Sequence, residues 1–132
     1  MTQSSIWDQL IRAAEAVRGA RVLSPYAEAG AVSAALRTES GAIYTGVCVD
    51  TACSLGVCAE RSAAFAMITQ GEQHITHLVC LMSDGRLGPP CGACRELLSQ
   101  LDSRNPELLI LRSREPLQSV ALADLMPADW KI

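Results

Sequence analysis

Three cysteines and one glutamate constrain this chain more than any other feature. Cys58-Ala59-Glu60 is followed, after a stretch long enough for a helix and a strand, by Pro90-Cys91-Gly92-Ala93-Cys94. Zinc takes thiolate ligands in tetrahedral sites, and a catalytic site keeps three protein ligands with the fourth position open to water. Cys58, Cys91 and Cys94 supply three such ligands, so a fold that uses them must bring the two segments together. Glu60, two residues past the first cysteine, then stands where it can manage protons on a water at the open position. Cys91-x-x-Cys94 alone could serve as a dithiol redox pair, but that reading leaves Cys58-Ala59-Glu60 without a purpose. A closed structural site would use four protein ligands, and Glu60 argues for an open one.

The rest of the composition narrows the class. At 132 residues the chain has the usual size of one domain, spanning 1–132. Hydrophobic residues make up 49% and aromatics only 4%, which predicts an aliphatic, alanine-rich core. A net charge of −3 with scattered charges argues against a nucleic-acid partner, which calls for a basic patch. Met1-Thr2-Gln3-Ser4-Ser5 carries no basic region leading into an apolar stretch, as a secretory signal would. No window approaches the ~20 apolar residues of a membrane span. These features predict a cytoplasmic protein with no membrane partner, where six cysteines do not imply disulfides. Cys80, inside Leu78-Val79-Cys80-Leu81-Met82, reads as a core thiol. Cys48 and Cys53 flank the segment that leads into Cys58 and read as small structural residues or, for Cys48 above all, as substrate contacts.

Hydrophobic periodicity predicts a helix over about 4–18, where Ile6, Leu10, Ala13, Ala14 and Val17 share a face. Ser24-Pro25-Tyr26 reads as a loop. Strands are predicted at about 31–37 and 42–50, joined through Thr38-Glu39-Ser40-Gly41. A helix over 58–70 ends at Gly71, and the continuous apolar run 75–82 has the look of a strand buried on both faces. A helix over 91–101, strands at 108–111 and about 117–122, and a helical turn at about 122–126 follow. Phe65 is placed in the core, and His74 and His77 on the surface, away from any metal. The order predicts a three-layer α/β/α sandwich around a five-stranded mixed sheet.

Both cysteine segments then open helices, whose N-termini carry partial positive charge and favour thiolate. Three thiolates leave the cluster negative, so Arg61 and Arg95, each beside a cysteine, are candidates to hydrogen-bond the sulfurs, Arg61 first.

The chain resembles the cytidine deaminase superfamily, in its small homotetrameric branch with cysteine as first ligand. Ser24-Pro25-Tyr26, Val32-Ser33-Ala34-Ala35-Leu36, Gly41-Ala42-Ile43-Tyr44-Thr45-Gly46, Cys58-Ala59-Glu60-Arg61-Ser62-Ala63 and Cys91-Gly92-Ala93-Cys94-Arg95-Glu96 carry the likeness in collinear order. Val32-Ser33-Ala34-Ala35-Leu36 and the segment Tyr44-Thr45-Gly46-Val47-Cys48-Val49 are especially similar to blasticidin S deaminase. The resemblance implies one Zn2+ per chain on Cys58, Cys91 and Cys94. It also implies hydrolytic deamination of cytidine or another cytosine-like amino-heterocycle by zinc-bound hydroxide, with release of ammonia and Glu60 as proton shuttle. The Ala59 N–H would bind the ring carbonyl and the Pro90 carbonyl the leaving amine. Tyr26 would line a site shared between subunits of a homotetramer or a dimer, and Trp130 is either a pocket wall or packing.

This sequence departs from the family where it reads the substrate. The family's ribose-holding Asn and Glu correspond to Cys48 and Asp50, a weak hydrogen-bonding thiol and a shorter acid. The phenylalanine expected after Tyr26 is missing, and the glutamine expected after Arg95 is Glu96. A modified nucleoside or a blasticidin-type antibiotic is therefore the alternative substrate.

Overall fold

A computed structural model describes residues 1–131. Helix α1 (Gln3–Val17) starts where the Thr2 hydroxyl accepts from the Ser5 N–H at 3.1 Å, satisfying one of the orphan donors of a first turn. It buries Ile6, Trp7, Leu10 and Ala14 on one face. Strand β1 (Arg21–Ser24) follows, then the long β2 (Ala27–Thr38), β3 (Ile43–Thr51), α2 (Ala59–Thr69), β4 (Ile75–Leu81), α3 (Gly92–Leu101), β5 (Leu109–Ser113) and β6 (Gln118–Ala121). A short 3-10 turn, Leu122–Leu125, comes after β6.

The long strand β2 organises the sheet. It runs antiparallel to β3 along one side, while β1 and β4 share its other side, β1 beside residues 27–29 and β4 beside residues 33–38. Beyond β4, β5 is parallel and β6 antiparallel again. The mixed sheet has six strands, one more than expected. The extra strand is β1, whose four residues are all exposed, so they carry no inward–outward alternation by which a sequence would reveal them.

Alternation along the central strands builds two cores. Ala35, Val79 and Leu81 face α1, where Ile6, Trp7, Leu10 and Ala14 meet them. Ala34, Leu36, Leu78 and Cys80 face the other way, onto Ala59, Ala63, Ala64 and Met67 of α2 and Leu98 of α3. Helices therefore cover both faces of the sheet, giving the three-layer α/β/α sandwich. Strand β4 is apolar on both sides, as its continuous hydrophobic run predicts.

Two placements differ from expectation. Phe65 is 46% exposed: the inward positions of α2 are taken by small alanines, which let the helix lie close to the sheet and turn Phe65 outward. His77 is buried, not a surface residue. Its ring lies edge-on against Trp7, with centroids 4.9 Å apart, and its Nε2 is 2.9 Å from Gln3 Oε1, so α1 covers it. His74 pairs with Glu39 at 2.9 Å.

Gly46 sets how closely α2 approaches. A Cβ at this position of β3 would lie 2.3 Å from the Ala63 nitrogen and 2.7 Å from the Ala59 carbonyl oxygen. Only a residue without a side chain lets the first turns of α2 rest on the sheet there.

Candidate metal centre

Cys58 and Cys91 occupy the N-cap positions of α2 and α3, and neither side chain caps its helix. Their sulfurs are thus free to face each other, 3.5 Å apart. Cys94, in the first turn of α3, is fully buried beneath them, and Glu60, in the first turn of α2, is 5% exposed. The three Sγ atoms and a Glu60 carboxylate oxygen all lie within 4.8 Å of one another. Fold topology therefore joins the two segments.

The donor set suits zinc. A Zn–S bond of about 2.3 Å with tetrahedral angles spaces sulfurs ~3.8 Å apart, close to the Cys58–Cys91 separation. Three thiolates and one nearby carboxylate would hold a divalent ion with room for a fourth ligand.

The surroundings bias the cluster electrically. Burial and the Glu60 carboxylate push the Cys94 thiol up. Burial acts the same way on Cys91, but the Cys94 backbone N–H and the Cys58 and Cys94 thiols outweigh it and hold Cys91 below the usual thiol range. Burial, then Glu60, also raises Cys80, so that core thiol stays protonated. Arg61 Nη2 donates to Cys58 Sγ at 3.6 Å, and Cys58 and then Cys94 strengthen its hold on its proton. Its buried Nε has no partner among the described residues.

Arg95 turns to carbonyls. Its Nε donates to Pro90 O at 2.8 Å and its Nη1 to Leu125 O at 3.2 Å. The cause is position: Arg95 sits one residue past Cys94, where its long side chain reaches back over the loop before Cys91.

Two joined clefts open over the cluster. One, of ≈180 Å³, is lined by Cys58, Glu60 and Cys91 together with Val32, Met82 and Pro89, and also takes in Ala59. The other, of ≈350 Å³, shares Cys48 and Cys58 with the first and adds Asp50, Thr51, Ser54 and Arg61. Cys48, which lines both clefts, accepts a hydrogen bond from the Val32 N–H at 3.3 Å.

Tyr26 is 77% exposed and lines a different cleft with Glu28 and Asp50. Trp130 stands farther off, on the outer face of α3, where its Nε1 donates to Glu96 and it borders a cleft with Arg95 and Leu125. Neither aromatic lines the cleft over Glu60. Met82, Val32 and Pro89 do, and sequence reasoning singled out none of them for this. The available signal was Gly88-Pro89-Pro90, a constrained lead into Cys91.

No protein-family model matches the chain. Known proteins do. It is 34% identical over 123 residues to a cytidine deaminase of Mycobacterium tuberculosis, covering 92% of this chain and 86% of that one. The crystal structure of cytidine deaminase from Mycobacterium tuberculosis superposes with a TM-score of 0.77 at 29% identity, over 96% of this chain and 98% of the other. The cytidine deaminase structure from Burkholderia pseudomallei gives a TM-score of 0.74 at 28% identity, over 98% and 100%. With this fold and this extent of likeness, the chain belongs to the cytidine deaminase family.

Proposed function

We propose that this protein is a zinc-dependent cytidine deaminase, hydrolysing cytidine to uridine and ammonia within one catalytic domain spanning the chain. The observation that carries this reading is the convergence of Cys58, Cys91, Cys94 and Glu60 within 4.8 Å beside a cleft sized for one ring. The paired clefts support a nucleoside: the smaller takes the base over Glu60, and the larger, with Asp50, Thr51 and Ser54, takes the sugar. The relatives named above also support cytidine over the antibiotic alternative.

Cys58, Cys91 and Cys94 would hold the ion. Bound there, zinc supplies Lewis acidity that makes water nucleophilic at neutral pH. Arg61, donating to Cys58, offsets the excess negative charge of three thiolates. Glu60 accepts the first proton of the attacking water and passes it to the ring nitrogen. It then carries the remaining proton of the added hydroxyl to the amino group, which leaves as ammonia as the ring C–N bond breaks and the carbonyl forms. The first N–H groups of a helix have no intrahelical acceptor, so the Ala59 N–H at the start of α2 is available to the ring carbonyl oxygen. The Pro90 carbonyl, held by Arg95, keeps a second lone pair for the departing amine.

The active molecule is a homotetramer in this reading. Exposed Leu55, Tyr26 and Val22, and Phe65 and Ile68 on the outer side of α2, supply the apolar surface that assembly would bury, bringing Tyr26 and Trp130 toward a neighbour's site. No described helix is long and apolar enough to cross a membrane, and we place the enzyme in the cytoplasm. The experiment is ammonia and uridine release from cytidine by the zinc-loaded protein, with zinc content measured alongside. Turnover with about one zinc per chain is expected; a zinc-loaded protein that leaves cytidine intact would contradict the reading.

A further inference from the structure

We propose that Met82 is a specificity-determining residue, the one adjustable wall of the cleft over Glu60, and that it sets how much bulk the substrate ring can carry. Met82 follows the last residue of β4 and lines the same ≈180 Å³ cleft as Cys58, Glu60 and Cys91, yet its side chain is not packed away: the residue is 40% exposed. Its backbone is fixed on both sides. The Met82 N–H donates to Arg86 O at 2.8 Å, its carbonyl accepts from the Gly85 N–H at 2.8 Å, and Leu81 bridges to Leu87.

The side chain lies across Gly88. A Cβ at Gly88 would sit 2.5 Å from Met82 Sδ and 2.8 Å from its Cγ, so the glycine provides the slot in which the thioether rests. Gly88 is tied in turn, its N–H donating to Cys80 O at 3.1 Å, and it precedes Pro89, another lining residue. An anchored backbone thus carries an unbranched side chain with three rotatable bonds and a polarisable sulfur suited to contact with an aromatic ring.

No other lining residue can do this. Cys58, Glu60 and Cys91 are committed to the chemistry, and Cys48 has a short side chain whose sulfur is held by the Val32 N–H at 3.3 Å. Ala59 has no reach, the β-branched Val32 is stiff at χ1, and Pro89 is a closed ring. Because the cleft is smaller than the ~300–1,000 Å³ common for ligand pockets, a change of one methyl group in its wall changes what fits.

The inference rests on the cytidine deaminase reading, and one experiment separates the two. Measure kcat/KM for cytidine and for cytidines bearing methyl or bromo groups on ring carbons 5 and 6, using the zinc-loaded wild type, Met82→Ala and Met82→Leu. Met82→Ala is expected to raise the ratio of a substituted cytidine to cytidine by at least ~10-fold, the lower end of what one methylene decides in an apolar pocket. Met82→Leu, which restores most of the volume, is expected to return the ratio toward the wild-type value. If Met82→Ala fails to fold or to hold zinc, Met82→Val reads out the same ratio at intermediate volume. Ratios unchanged within about twofold in the folded small variant, with cytidine still turned over, would overturn the role of Met82 alone. A wild type that does not act on cytidine would overturn the underlying reading and this one with it.

Discussion

Arg95 holds Pro90: its Nε donates to the Pro90 carbonyl at 2.8 Å, so the residue after Cys94 fixes the residue before Cys91. The same guanidinium reaches Leu125 O at 3.2 Å, tying the cysteine loop to the segment after β6. Arg95→Ala is expected to lower kcat by roughly 10–100-fold, the usual effect of losing a group that orients a metal site's surroundings, with a smaller change in KM. Arg95→Lys can contact one carbonyl but not fork between two, so it should recover only part of kcat. A steady-state comparison showing KM and not kcat affected would contradict this role.

Gly46 should be intolerant for a reason independent of chemistry. A methyl group there meets backbone atoms of α2 at 2.3 and 2.7 Å, which cannot rotate aside. Gly46→Ala is expected to lose about 1–3 kcal/mol of stability, the usual penalty of overpacking, and to lower activity by shifting Cys58 and Glu60 with the helix. Urea unfolding monitored by circular dichroism checks the first part.

Glu72 gives the protein an acid-sensitive stability. Its carboxylate accepts from Tyr44 at 2.6 Å and from Thr38 and Ser40 at 2.7 Å each, and the Tyr44 hydroxyl, then Thr38 and Ser40, hold its pKa below the usual carboxylate value. A depressed carboxylate contributes stability that is fully present above the unfolded-state pKa of about 4.3. That contribution disappears as pH falls through the lower folded-state value. Wild type should therefore lose stability below about pH 4 more steeply than Glu72→Gln. Parallel melting-temperature curves for the two proteins between neutral and acid pH would contradict the assignment.

These particulars show what a sequence makes legible. The cysteine–glutamate cluster was readable because its chemistry demands fixed residue types, and because Cys58 and Cys91 sit at helix starts that local pattern also predicts. Strand β4 was readable from a continuous apolar run. What could not be read depends on distant partners. Arg95 chooses carbonyls over sulfurs because Leu125 folds back beside it, and His77 is buried only because Trp7 and Gln3 arrive with α1. Strand β1 has no apolar face to announce it. Phe65 points outward because the short alanines of α2, and not its one aromatic, form the inward side.

The proposal that the larger cleft takes the sugar carries its own test. Asp50 lines that cleft and Cys48 lines both clefts. A thiol is a weak hydrogen-bonding group compared with an amide, and Asp is one methylene shorter than Glu. The double variant Cys48→Asn/Asp50→Glu is expected to raise kcat/KM for cytidine severalfold, mainly through KM. An unchanged or lower value would place sugar recognition elsewhere.

The most direct measurement pairs metal content with turnover in Glu60→Gln. Glu60 lies within 4.8 Å of all three cysteine sulfurs, and the substitution keeps the side chain's size while removing its ability to take a proton. The variant is expected to fold, to retain about one zinc per chain and to release ammonia from cytidine at least ~10²-fold more slowly than wild type, as loss of general acid–base catalysis requires. Near-normal ammonia release by zinc-loaded Glu60→Gln would contradict the account at its centre.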